Sequence, residues 1–102
     1  MYRASDQREE AGQLELLDAA ADDLGLGDEA RSAATDLYLS AVPEADRSKP
    51  AGVAAALYAG ALIAGDGRPQ TVVADAVGVS RLVVQDRWKD LLAAAGFRPP
   101  DW

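Results

Sequence analysis

The feature that most constrains the fold is the segment 51–64, AGVAAALYAGALIA, which is apolar on nearly every side of a helix. A helix with no polar face must be surrounded by other elements or by lipid. A membrane span needs about 20 strongly apolar residues, and this segment is shorter and rich in alanine and glycine. We therefore predict a central helix over about 50–64, surrounded by the other helices of one small domain. The residues expected to be most buried are Ala55, Ala56, Ala59 and Ile63.

Two helices are predicted before this central segment. The first covers about 13–24, where leucine and alanine recur on one stripe, and Gly25 ends it. The second covers about 28–42, with Asp28 at its N-cap and Pro43 just beyond its end. No segment shows the alternation of apolar and polar residues that is typical of strands. The sequence therefore predicts an all-α protein.

The segment 70–92, QTVVADAVGVSRLVVQDRWKDLL, predicts two further helices joined by a three-residue turn. Gly78 suits the left-handed position that ends a helix, and the Ser80 hydroxyl can cap the next one. The second helix has one apolar face, with residues spaced i, i+4, i+7 and i+8. This pattern is typical of the helix-turn-helix of DNA-binding proteins, and equally of an ordinary corner between two helices. The apolar face consists of Val84, Trp88, Leu91 and Leu92.

Composition excludes several kinds of chemistry. The chain has no cysteine and no histidine, so thiol nucleophiles, histidine bases and Cys/His metal sites are excluded. Carboxylates such as Asp18, Asp22 and Asp23 fall on a polar helix face, where solvation is the simpler interpretation. The glycines around Asp66 lack the lysine and the strand of a phosphate-binding loop. We predict no enzymatic activity, no cofactor and no metal.

The net charge of -7 arises from 17 acidic and 10 basic residues, of which only Lys49 and Lys89 are lysine. This mixture resembles that of proteins from salt-loving organisms. At molar salt the Debye length is about 3 Å, so net charge says little about partners there. In ordinary salt the charge argues against phosphate binding, which needs clustered cations. The alternative interpretation is that the acidic residues only keep the protein in solution and have no role in binding.

Blocks along residues 14–96 resemble, in order, one cyclin-like repeat of archaeal transcription factor B, the counterpart of eukaryotic factor IIB. ADDLGLGDEAR is similar to the end of that repeat's first helix and its Leu-Gly-Leu turn, and ATDLYLSAV to its second helix. DRSKPAGVAAALYAGALIAG is similar to its Gly-Arg-Ser loop and small-residue helix, and 70–92 to its closing helix-turn-helix. The resemblance implies a five-helix cyclin-like bundle and a role in transcription.

The chain also departs from the family's pattern. Full factors carry a zinc ribbon, a linker and two repeats, whereas this chain has length for one, so by itself we do not expect it to recruit polymerase as they do. Asp46 stands where the family usually has glycine. In the second helix of the motif, Gln85 and Asp86 stand where the family often has arginine and a polar residue. The exchange removes a cation and adds an acid on the face that the full factor presents to promoter DNA.

The outer side of this helix supplies the candidate site residues. Arg81 and Gln85 lie four residues apart, where arginine suits the edge of guanine and glutamine that of adenine. Lys89, Arg87 and Arg68 could hold phosphates. The alternative is that these residues are solvated, with local ion pairs worth a few tenths of a kcal/mol. The complete predicted DNA-binding set is Arg68, Ser80, Arg81, Gln85, Arg87 and Lys89.

Two functions follow as hypotheses. The first is a DNA-binding or promoter-complex regulator that acts through the helix-turn-helix, with a homodimer as one arrangement that would imitate paired repeats. The second is an adaptor that binds a general transcription factor or polymerase in a cyclin-like groove without touching DNA. We divide the chain into an N-terminal segment (1–12), which is either a flexible arm or a frayed lead-in to the first helix, a helical domain (13–97) with Phe97 covering the base of the core, and a C-terminal tail (98–102) ending in Trp102. A cytoplasmic protein without a membrane segment is expected.

Overall fold

The fold consists of five α-helices and no strands among the residues that the computed structural model describes, 4–41 and 49–97, with side chains described for 12–40 and 50–97. The predicted all-α class and the number of helices are confirmed. Pro43, Asp46, the loop they belong to and the tail with Trp102 lie outside the described residues. In chain order the helices are α1 (Ala4–Leu24), α2 (Asp28–Ala41), α3 (Lys49–Ile63), α4 (Gln70–Val77) and α5 (Arg81–Ala94).

Helix α3 is the centre of the bundle, as its apolar composition predicted. Every residue from 51 to 61 is buried, and Ala55, Ala56 and Ala59 have no exposed surface. Ile63 was expected to be equally buried, and this is wrong, since the side chain is 46% exposed. Burial of α3 ends at Ala61: Leu62 is half-buried, and Ile63 is the last residue of the helix, close to the turn at Gly65.

The contact between α2 and α3 is close enough to require glycine. A Cβ atom added to Gly60 would lie 2.6 Å from the backbone nitrogen of Ala34 and 2.7 Å from its Cα. Ala34 is itself fully buried. The two helices therefore meet backbone to backbone at this point, and small residues on both sides make that possible.

The remaining core side chains come from all five helices. Tyr58 of α3 and Trp88 of α5 pack edge to face, with ring centroids 5.2 Å apart and planes inclined at 74°, a preferred arrangement for an aromatic pair. Phe97 does not cover the base of the core as predicted. It is 49% exposed, whereas Leu91 and Leu92 at the end of α5 are buried. The largest fully buried side chains are Leu17, Leu37, Leu57, Val53, Val73 and Val84.

Helix α1 begins earlier than the predicted start near residue 13. Residues 4–12 carry no regular apolar stripe, so the periodicity indicated no helix there. They are nevertheless mostly alanine, glutamine, arginine and glutamate, which favour helix formation. In the part of the chain that the structure describes, no helix is both long and apolar enough to cross a membrane.

Candidate nucleic-acid interface

Helices α4 and α5 are joined by a three-residue turn whose geometry follows from its sequence. Gly78 adopts the left-handed conformation, with φ 90° and ψ 32°. The N–H groups of Gly78 and Val79 donate to the carbonyl of Ala74 at 2.8 and 3.0 Å. Ser80 is extended, and its Oγ accepts from the backbone N–H of Val83 at 3.3 Å, which caps α5. The predicted roles of Gly78 and Ser80 as helix boundaries are confirmed.

The inner sides of both helices anchor this pair, called below the α4–α5 unit (residues 70–94), to the core. Val73 and Ala74 of α4 are buried. The four predicted apolar positions of α5 are buried as well, so the assignment of its inner face is confirmed. The opposite side of α5 faces solvent. Its exposed residues are Arg81, Leu82, Gln85, Asp86, Asp90, Ala93 and Ala94.

Two of the predicted site residues touch each other on this exposed side. An Nη1 of Arg81 donates to Oε1 of Gln85 at 2.5 Å. A guanidinium carries donors only, so the Gln85 atom that faces it must be the carbonyl oxygen. The two side chains therefore form one polar group in the first turns of α5, next to the cap at Ser80.

Arg87 and Lys89 lie farther along α5, and both are half-buried. Nζ of Lys89 lies 5.6 Å from the centroid of the Trp88 ring, within the range of a cation–π interaction. The ammonium group of Lys89 thus lies over an aromatic residue that is itself buried in the core. This contact orients the cation without neutralising it.

The sixth candidate, Arg68, is held in a separate network in the loop before α4. Its Nε donates to the carbonyl of Leu24 at 3.0 Å and its Nη2 to that of Gly25 at 3.3 Å, at the end of α1. Its Nη1 donates to Oδ1 of Asp66 at 2.7 Å, and also to the backbone carbonyls of Asp66 and Gly67. Arg68 thus ties the loop between α3 and α4 to the turn between α1 and α2.

Asp66 completes this tie from the other side. Its Oδ2 accepts from the backbone N–H of Gly27 at 3.2 Å, just before α2 begins. The hydrogen bond from Arg68, followed by that from Gly27, holds the pKa of Asp66 below its usual value of 3.8. Sequence reasoning missed this network and treated Asp66 only as part of a turn. The only local signal was a carboxylate that lies between two glycines and two residues before an arginine. That pattern is common in loops.

Charge is distributed unevenly over the described helices. On α1 and α2 acidic side chains dominate, and Arg31 is engaged with Asp22 in an ion pair. From residue 66 to 97 the acidic and basic residues balance. Between residues 12 and 40 the charged residues are Glu15, Asp18, Asp22, Asp23, Asp28, Glu29 and Asp36 against Arg31; between residues 66 and 97 they are Asp66, Asp75, Asp86 and Asp90 against Arg68, Arg81, Arg87 and Lys89. The α4–α5 unit is therefore balanced in charge and repels an anion less than the acidic α1 and α2 do.

Comparison with known proteins finds similarity between this chain and curated transcription initiation factors. No protein-family model matches the chain. A protein of Pyrococcus abyssi is 37% identical over 83 residues, which cover 78% of this chain and 28% of that protein. That relative is transcription initiation factor IIB. Factor IIB 1 of Thermococcus kodakarensis matches at 36% identity over the same shares of both chains. The predicted resemblance to a repeat of factor IIB is confirmed, and the chain spans 28% of the length of these relatives.

Proposed function

We propose that this protein takes part in transcription and binds promoter DNA through the α4–α5 unit, with the first turns of α5 in the major groove. The observation that carries this proposal is the exposed Arg81–Gln85 pair at the capped start of α5. In helix-turn-helix proteins the N-terminal residues of the second helix contact base edges. The similarity to initiation factor IIB supports the same role without catalysis.

Each candidate residue then has a defined task. Arg81 and Gln85 contact base edges, while Arg87 and Lys89 contact phosphates on either side. Ser80 keeps the start of α5 ordered, and its exposed position at the helix N-terminus suits a phosphate. Arg68 holds the loop before α4 in place, because its donors are directed to backbone carbonyls and to Asp66. We therefore assign it a positioning role in place of the phosphate contact expected from the sequence.

Affinity is expected to be modest and only mildly dependent on salt. Each phosphate neutralised contributes about -0.9 to the slope of log K against log salt. With Arg87 and Lys89 as the two cations that contact phosphates, the slope should be about -2. Acidic residues elsewhere lower the affinity of a single chain further, and the homodimer predicted from the sequence would double the contacts.

The test is a fluorescence-anisotropy titration of the full chain with a duplex that carries the element upstream of a TATA sequence. The double variant Arg81→Ala, Gln85→Ala should lose sequence preference, and Lys89→Ala should weaken all duplexes alike and reduce the salt slope by about one. Arg31→Ala is the matched control, since it removes one cation from α2. If Arg31→Ala weakens binding as much as the double variant does, charge alone accounts for the result and the assigned interface is wrong.

A second candidate function, the adaptor, is favoured by one observation. Leu82, on the exposed side of α5, is 59% exposed, and Asp86 follows it one turn later. An apolar side chain beside a carboxylate suits a protein surface better than a phosphate backbone. In this interpretation the partner is a protein of the general transcription machinery. Leu82→Ser would then abolish binding to that protein in a pull-down, whereas Lys89→Ala would leave it unchanged.

A further inference from the structure

We propose that Asp86 reads cytosine in the major groove, through the N4 amino group of that base. The proposal rests on the DNA-binding function given above and adds a specificity-determining residue to the interface. From the sequence, Asp86 was expected only to weaken binding, as an acid on the face that meets DNA. Its position on α5 gives the carboxylate a second consequence, which is a choice between bases.

Asp86 is the residue of α5 that points most directly away from the core. With about 100° between successive residues of a helix, Asp86 lies about 180° from the mean direction of the four buried side chains of α5. It is exposed, and it is the sixth residue of the helix, within its first two turns. A nucleic acid that covers the outer side of α5 near its start therefore meets this carboxylate.

The carboxylate of Asp86 is available as an acceptor. Among the residues that the structure describes, none forms a hydrogen bond or an ion pair with it. Lys89, three residues later, does not pair with Asp86, since its Nζ lies over the ring of Trp88. The charge of Asp86 is therefore not compensated within this part of the chain, and a ligand that excludes water from it must supply a donor.

The same charge restricts how α5 can lie on a duplex. A carboxylate placed against a phosphate is repelled, so DNA binding favours the orientation that puts Asp86 over base edges. Arg87 and Lys89 lie on either side of Asp86 around the helix, about 100° and 60° away from it. In this orientation they are directed toward the two strands of the duplex, which agrees with the phosphate contacts proposed for them.

An ionised carboxylate only accepts hydrogen bonds, which decides what it can meet in the groove. Guanine presents the acceptors N7 and O6, and thymine presents the acceptor O4, so either base leaves the carboxylate without water and without a donor. Adenine has an N6–H donor beside the acceptor N7, whereas cytosine presents only its N4–H donor. Cytosine therefore suits Asp86 best, in a hydrogen bond that the charge strengthens.

The experiment is a selection from a randomised duplex library with the full chain, followed by anisotropy on duplexes that differ at one base pair. The wild-type chain should select cytosine at a position that depends on Asp86, by about tenfold over guanine or thymine. Asp86→Asn should change the preference there to adenine, because an asparagine amide both accepts from N6–H and donates to N7. Replacing the selected cytosine with 2-pyrimidinone, which lacks the N4 amino group, should weaken binding of the wild-type chain and leave that of Asp86→Ala unaffected.

The control is Asp75→Asn, which removes an equal charge from an exposed position on α4 and should leave the selected sequence unchanged. Two results would overturn the inference and leave DNA binding intact. In the first, Asp86→Asn strengthens binding to every duplex by the same factor, so the carboxylate only repels phosphates. In the second, the wild-type chain binds the 2-pyrimidinone duplex as tightly as the cytosine duplex. If the chain binds no duplex at any salt concentration, the proposed function fails and the inference fails with it.

Discussion

At the scale of single residues, Gly60 has the sharpest consequence for stability. The space for a Cβ at this position is occupied by the backbone of Ala34. Gly60→Ala should therefore cost about 1–3 kcal/mol of unfolding free energy, as overpacking of a core does, despite the higher helix propensity of alanine. Urea denaturation measures the effect.

Gly52 on the same helix provides the matched control. A Cβ there would lie 3.6 Å from Cε1 of Tyr38, an ordinary contact distance. Gly52→Ala should therefore be neutral or slightly stabilising, through helix propensity alone. Equal effects of the two substitutions would show that α2 and α3 do not approach as closely as described.

Asp66 gives the protein a defined response to acid. Its pKa in the folded state is lowered, chiefly by the hydrogen bond from Arg68. The stability it contributes is therefore fully present above the usual value of 3.8 and is lost as the pH falls through the lower folded pKa. In thermal melts across this range, Asp66→Asn should lower the melting temperature at neutral pH and flatten its decline in acid. Asp36→Asn, an exposed carboxylate on α2, is the control, and an identical pH profile for the two variants would contradict this role.

At the scale of elements, substitutions at Ser80 distinguish the contribution of the cap to the stability of α5 from the proposed role of α5 in binding DNA. Ser80→Ala removes the acceptor for the Val83 N–H and should cost about 0.5–2 kcal/mol. Ser80→Asp keeps an acceptor and complements the helix dipole, so its stability should be preserved. If α5 binds DNA, Ser80→Asp should still weaken binding, because its carboxylate would face phosphates. Calorimetric melts combined with anisotropy make the comparison, and unaffected DNA affinity in Ser80→Asp would argue against an interface at the start of α5.

The elements also show what the sequence could and could not predict. Glycine turns, the Ser80 cap and the apolar run of α3 are local signals, and they predicted helix boundaries at Leu24, Asp28, Gly78 and Ser80. The start of α1 was missed because residues 4–12 carry helix propensity without an apolar stripe. The network of Arg68 and Asp66 was missed because it joins two loops that are far apart in sequence. The proximity of Arg81 and Gln85 followed from helical spacing, but the hydrogen bond between them did not.

At the scale of the whole molecule, the acidic surface of α1 and α2 predicts stabilisation by salt. Like charges on these helices repel in the folded state, and ions screen the repulsion. Raising potassium chloride from low to molar concentration should therefore raise the melting temperature. The control is the same series near pH 4.3, the isoelectric point, where net charge vanishes and the effect should shrink. A melting temperature that stays flat or falls with salt at neutral pH would show that charge repulsion does not limit stability.

The central claim is that α5 presents the functional surface of this protein to promoter DNA. An amide chemical-shift titration of the full chain with duplex carrying the element upstream of TATA tests it most directly. The account predicts that shifts concentrate in the α4–α5 unit, strongest around Arg81 and Gln85, while α1 and α2 remain unperturbed. If these amides do not respond to DNA, but a purified general transcription factor shifts α3 or the exposed side of α5, the protein is an adaptor and the claim is contradicted.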